Sequence, residues 1–267
     1  MKSNTQLRLN SVVQHGVGSS SESLALDMIY EFLLHEFGQD LYDYISINQI
    51  GDDLDEFIQK ESGNKIHINL RYPIYEDFES KRVEEKNKIR LNVIHTALLR
   101  ISEFDRQLEP SHLEAIKIKI LANDFSFEFV CNEYNNSKNG RLSGKLIVRP
   151  LIDKFEYYIA IENEGQLKCR SLIYDSRPGT DFNEFFKYGK WRGENELIIS
   201  GTRKEVELHV VVSECKTLFV NLTAYANPPY FTVMRTDVSE EERKKAYKDW
   251  LHSLPPAVAA IVRKANN

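Results

Sequence analysis

The spacing of apolar residues changes period once along this chain. Leu24, Met28, Ile29, Phe32, Leu33 and Phe37 recur every three or four positions. That period predicts an amphipathic helix over 21–37, stopped by Gly38. Ser19, three residues before Glu22, offers a capping box ahead of it. A short strand is expected over 5–14. The run GDDLDEFIQKESG (51–63) reads as a short acidic helix ending at Gly63, its early carboxylates placed where the macrodipole favours them. In KIHINLRY (65–72), Ile66, Ile68 and Leu70 alternate with His67, Asn69 and Arg71, which predicts a strand with one buried face. The longest helix is expected over 75–107, with Leu91, Ile94, Leu98 and Ile101 as its stripe. Pro110 and the Ser111–Glu114 box open another helix, although Ile116, Ile118 and Ile120 alternate as a strand would.

After Asp124, period two takes over. FSFEFVC alternates Phe125, Phe127 and Phe129, and further alternating segments follow as far as TLFVNLTAY. The breaks between them, such as Asn163-Glu164-Gly165, are too short for parallel crossovers, so an antiparallel meander of six or seven strands is expected. A final helix opens at Ser239, with Tyr247, Trp250, Leu251 and Leu254 on its apolar side. The fold class that follows is α+β. A helical N-terminal half (1–123) packs on an antiparallel sheet (124–238), and a C-terminal amphipathic helix (239–267) closes it, in one integrated domain. The long helix and the last helix are the expected covers of the sheet.

Composition narrows the partners. The chain has 267 residues, 42% of them apolar, and 35 basic against 40 acidic residues give a net charge of −5. That balance, without a basic stripe, argues against nucleic acid. No apolar run reaches the ~18 residues of a membrane span, and the first sixteen residues lack the apolar core of a secretory signal. Cys131, Cys169 and Cys215 are odd in number, far apart and without a CxxC pair. They read as unpaired, reduced thiols, which points to the cytoplasm, and no metal or cofactor is expected.

Candidate chemistry is sparse. HGVGSSS lacks the GxGxxG and GxxxxGK[ST] spacings, so it reads as a flexible cap and linker. His95 borders the stripe of the long helix, but HExxH is absent, so it reads as a hydrogen-bonded core histidine. Should the protein be an enzyme, a hydrolase or nucleotide-processing activity in a pocket between the helical half and the sheet is the alternative to test, with His95, Arg90 and Arg149 as its first residues. No GxSxG elbow supports it. What stands out is aromatic surface in two connections, TDFNEFFKYGKWRG (180–193) and AYANPPYF (224–231). Phe182, Phe185 and Phe186 read as lid, while Tyr188, Trp191, Tyr225, Tyr230 and Phe231 read as a partner-binding set. The leading expectation is therefore a cytosolic binding protein that associates stoichiometrically with another protein. An immunity or antitoxin-type neutraliser is one version, and no catalysis of its own is expected.

Overall fold

Four strands form between residues 6 and 71, where a mainly helical half is expected from the sequence. They are β1 (Gln6–Ser11), β2 (Tyr44–Ile50), β3 (Phe57–Glu61) and β4 (Lys65–Arg71), in the order β1-β2-β4-β3. β1, β2 and β4 run parallel, and β3 runs antiparallel at the edge. The computed structural model describes residues 5–12, 16–17, 21–136, 138, 140–176, 186–201, 207–220 and 239–253. It divides into two units, one of residues 2–129 with 149–155, the other essentially of 130–148 with 156–267.

In the N-terminal unit the pleat separates two faces. Leu7, Ile45 and Ile66 form one cross-strand row, and Leu9, Ile47 and Ile68 the next; all six are buried. The opposite face is polar: Asn10 donates to Asn48 at 3.3 Å and Asn48 donates to Asn69 at 3.0 Å. The apolar face shares one core with α1 (Ser21–Glu36), α2 (Val83–Asp105) and α3 (Pro110–Ala122). The N-terminal region is thus a sheet layered with helices. The long helix packs into this core through Leu91, Ile94, Leu98 and Ile101.

Three local departures explain the error. The acidic helix expected at 51–63 is instead a hairpin between β3 and β4. Gly63 and Asn64, which resemble a helix stop, both take positive φ, 76° and 56°, and make its turn. The long helix begins at Val83, eight residues later than expected, because Lys81 and Arg82 are extended and Phe78 is buried in a preceding 3-10 turn. Phe125, Phe127 and Phe129 do not form one strand. Asp124 and Phe125 have positive φ, 47° and 58°, and only Phe129 starts a strand. The period-two isoleucines do lie on a helix: Ile116 and Ile120, four apart, are buried, while Ile118 faces solvent.

The described residues of the C-terminal unit form two four-stranded sheets. One has the order β5-β6-β7-β8, built from β5 (Phe129–Asn135), β6 (Leu142–Pro150), β7 (Phe155–Asn163) and β8 (Gln166–Ser176). The other has the order β12-β11-β10-β9, from β9 (Tyr188–Arg192), β10 (Glu196–Ser200), β11 (Glu207–Val211) and β12 (Lys216–Val220), all antiparallel. Sequential order within each sheet makes two meanders rather than one. The sheets come face to face at Gly144, where an added Cβ would stand 2.4 Å from a Leu197 methyl. The C-terminal helix α4 (Glu240–Ser253) is small beside these strands. Tyr247 and Trp250 form a tilted pair on it and Leu251 is buried; Leu254 lies outside the described residues.

Cys169 and Cys215 form a disulfide, with Cα atoms 5.3 Å apart. It joins β8 to the turn before β12, one edge strand from each sheet. This corrects the reading of all three cysteines as unpaired thiols and removes the ground on which the cytoplasm was inferred. Cys131, half-buried, is the cysteine outside this bond. A separation of 46 positions in sequence hides a proximity that the topology creates. No helix among the described residues is long and apolar enough to cross a membrane.

Candidate functional site

The described part of the aromatic stretch, from Phe186 on, leads into β9, the edge strand of its sheet. Strand alternation divides its residues between two sides. Gly189 and Trp191 face β5. The Trp191 indole N–H donates to the Tyr134 carbonyl at 2.8 Å, and a Cβ at Gly189 would meet the Tyr134 ring at 2.3 Å. Tyr188, Lys190 and Arg192 project from the other side and are exposed, Tyr188 to 52%. Lys187 adds its ammonium 5.7 Å from the Tyr188 ring centre. Arg192 lies 3.5 Å from Glu196 across the strand pair. One side of β9 is therefore aromatic and cationic.

The backbone behind this side is tied down by β5. Asn132 donates to the carbonyls of Phe186 and Lys187 at 3.1 Å each, the Tyr134 hydroxyl donates to the Phe186 carbonyl, and Asn136 donates to Gly193 at 2.8 Å. An edge strand usually leaves such groups to water or to another chain. Here side chains of the same unit bind the carbonyls that flank β9, Phe186 and Lys187 before it and Gly193 after it, so its two ends are held in place. Burial pushes the Tyr134 phenol well above its ordinary value, which keeps it a donor.

Trp191 and Tyr188, paired as surface candidates from sequence, are thus split. Trp191 is half-buried and anchors the strand, while Tyr188 stands on the surface. Phe186 is buried, as expected of a lid. Phe182, Phe185, Tyr225, Tyr230 and Phe231 lie outside the described residues.

The residues singled out for catalysis lie apart. His95 is buried on α2 and links it to α1 and α3. Its Nδ1 accepts from the Tyr30 hydroxyl of α1 at 3.3 Å, and its Nε2 lies 2.9 Å from a carboxylate oxygen of Glu114 on α3. A neutral imidazole protonated at Nε2 satisfies both bonds. Burial is the larger influence and lowers the His95 pKa, with Glu114 opposing it. The bond to His95 holds the Glu114 carboxyl below its usual range. Both ring nitrogens are engaged, so none is left for a substrate. Arg90 is buried, gives its Nε–H to the Val17 carbonyl at 3.0 Å and lies over the Phe78 ring. Arg149 is half-buried and lines a pocket of about 290 Å³ that neither His95 nor Arg90 reaches.

Comparison with protein-family models, curated proteins and solved structures finds no match to this chain. The site is therefore read from its own chemistry. Among the described residues no cluster of His, Cys, Asp and Glu could hold a metal ion.

Sequence reading also passes over two polar clusters in the N-terminal unit. Asp27 and Glu31, one turn apart on α1, accept from the outward N–H groups of edge strand β1: Leu9 N to Asp27 at 3.4 Å and Leu7 N to Glu31 at 2.7 Å. Burial raises both acids, Glu31 to about 7 and Asp27 well above its ordinary value, with Glu31 pushing Asp27 further. Gln49, fully buried, accepts from Ser11 Oγ and Val17 N and donates to the carbonyls of Tyr72 and Pro73. Gly16 packs so closely on Ser11 that a Cβ would lie 2.3 Å away. Gly16 and Val17 are therefore a packed strap, where a flexible linker is the reading from sequence. The i, i+4 acids on an otherwise apolar helix face were the available signal.

Proposed function

We propose that the chain is a binding protein that associates stoichiometrically with another protein, and that the outward side of β9 belongs to its contact surface. The observation that carries this reading is Tyr188, half exposed on a strand whose two ends are held by Asn132, Tyr134 and Asn136. A large aromatic on a rigid support loses little entropy when a partner covers it, which is the usual setting of a hot spot. Lys187, Lys190 and Arg192 beside it favour an acidic partner surface. A neutraliser of the immunity type is one form such a protein takes. The engagement of both His95 nitrogens, and the burial of Arg90 against Val17 and Phe78, supports association over catalysis.

The test uses the tagged full-length chain in a lysate of its native host. The double variant Tyr188→Ala/Lys190→Glu is expected to lose a stoichiometric partner that the wild type retains, with an unchanged melting temperature. Lys168→Glu, an exposed change on β8, is expected to keep that partner. Equal recovery by the double variant and the wild type would refute the assignment of this surface.

A further inference from the structure

We propose that Cys215 is the site at which a protein dithiol opens the Cys169–Cys215 bond, which makes that bond a redox-controlled latch on one edge of the C-terminal unit. The sheet orders leave β5 and β9 at one pair of edges and β8 and β12 at the other. The first pair is fastened by hydrogen bonds from Asn132, Tyr134, Asn136 and Trp191. The second is fastened covalently, from β8 to the turn before β12. A reductant of disulfides therefore acts on one edge and leaves the hydrogen bonds of the other in place.

The two sulfurs are not equivalent. Cys169 is 3% exposed, whereas Cys215 is exposed. Exposed disulfides are the labile ones, and access helps decide which sulfur is attacked. Burial makes Cys169 the poorer leaving group, but access outweighs this, because a reductant does not reach the buried sulfur in the folded chain. The two strands that the bond joins also carry exposed leucines, Leu167 and Leu172 on β8 and Leu218 on β12. A protein reductant gains by covering such apolar surface, and a small hydrophilic thiol such as glutathione does not.

The exchange has two steps. The reductant's thiolate attacks Cys215 Sγ; a bond forms between those sulfurs, and the Cys169–Cys215 bond breaks with its electron pair on Cys169 Sγ, which takes up a proton. The reductant's second thiol then attacks its own partner sulfur in the mixed disulfide and releases Cys215, which takes up the second proton. The protein disulfide is reduced to two thiols, and the dithiol, having given up both protons, is oxidised to a disulfide.

This latch shares no residue with the β9 surface, so either assignment can fail alone. The test uses the oxidised full chain without denaturant and thioredoxin as the probe. Thioredoxin whose resolving cysteine is replaced by serine should be trapped on Cys215, located by peptide mass mapping. Intact thioredoxin should reduce the bond at least about tenfold faster than glutathione at equal thiol concentration. Its rate should be unchanged in about 1 M urea, where reduction that waits for global unfolding would speed up on the order of tenfold. Leu172→Ser/Leu218→Ser should slow thioredoxin several-fold and leave reduction by dithiothreitol as in wild type. After reduction, amides of β12 should exchange faster while those of β9 keep their protection. The proposal is overturned by trapping on Cys169, by a rate that rises with urea, by glutathione matching thioredoxin, or by equal loss of protection in β9 and β12.

Discussion

Breaking the Cys169–Cys215 bond should unfold the C-terminal unit far more readily, and the size of the effect follows from the loop it closes. The partners are 46 residues apart. In the chain-entropy model a loop of that length stabilises by about 4 kcal/mol at room temperature. The loop contains most of β8, all of β9, β10 and β11, and the connections between them. Cys215→Ser is the gentler way to break the bond, because position 215 is exposed while Cys169 is buried. Its unfolding should shift by roughly 10 °C, given two to four degrees for each kcal/mol in a chain of this size. Urea unfolding of the oxidised protein, with and without reductant, gives the same quantity independently. Thiol titration in denaturant should find Cys131 alone before reduction and all three cysteines after it. Three reactive thiols in protein purified under oxidising conditions, or superimposable unfolding curves, would refute the bond. Cys131→Ser serves as the control: it should leave the unfolding curves where they are and lower each thiol count by one.

Glu31 should make the protein less stable as pH rises. Its folded pKa of about 7 lies above the ordinary 4.5, so its contribution is fully present below about pH 4.5 and is lost as pH climbs through 7. The shift corresponds to about 3 kcal/mol. Glu31→Gln keeps an acceptor for Leu7 N, so it should flatten the stability profile between about pH 5 and pH 8 and exceed wild type at the alkaline end; identical profiles would contradict the raised pKa. Gly189→Ala should destabilise the C-terminal unit by about 1–3 kcal/mol, since its Cβ would enter the Tyr134 ring. An unchanged melting temperature in that variant would mean that β9 is not held against β5.

Much of the C-terminal half was legible because local chemistry and topology agree there. Glu164 and Gly165, with φ of 52° and 77°, make the two-residue turn that their sequence announces between β7 and β8. The N-terminal half was not, for two physical reasons. Parallel pairing of β1, β2 and β4 leaves no hairpin signature, and Gly63-Asn64 serves equally well as a helix stop or a turn. At the site, alternation along Tyr188-Gly189-Lys190-Trp191-Arg192 already separates surface from anchor once a strand is assumed. Which side faces inward depends on Tyr134, more than fifty residues earlier, and no local pattern carries that.

The central claim is that one side of β9 is a protein-binding surface, and hydrogen exchange on the isolated complex tests it most directly. Amides of β9 and its neighbour β10 should gain protection on partner binding, while β1 to β4 of the N-terminal unit exchange as in the free chain. The Tyr188→Ala/Lys190→Glu variant should show no gain at any partner concentration that protects the wild type. Protection confined to the N-terminal unit, with β9 exchanging as before, would contradict the account.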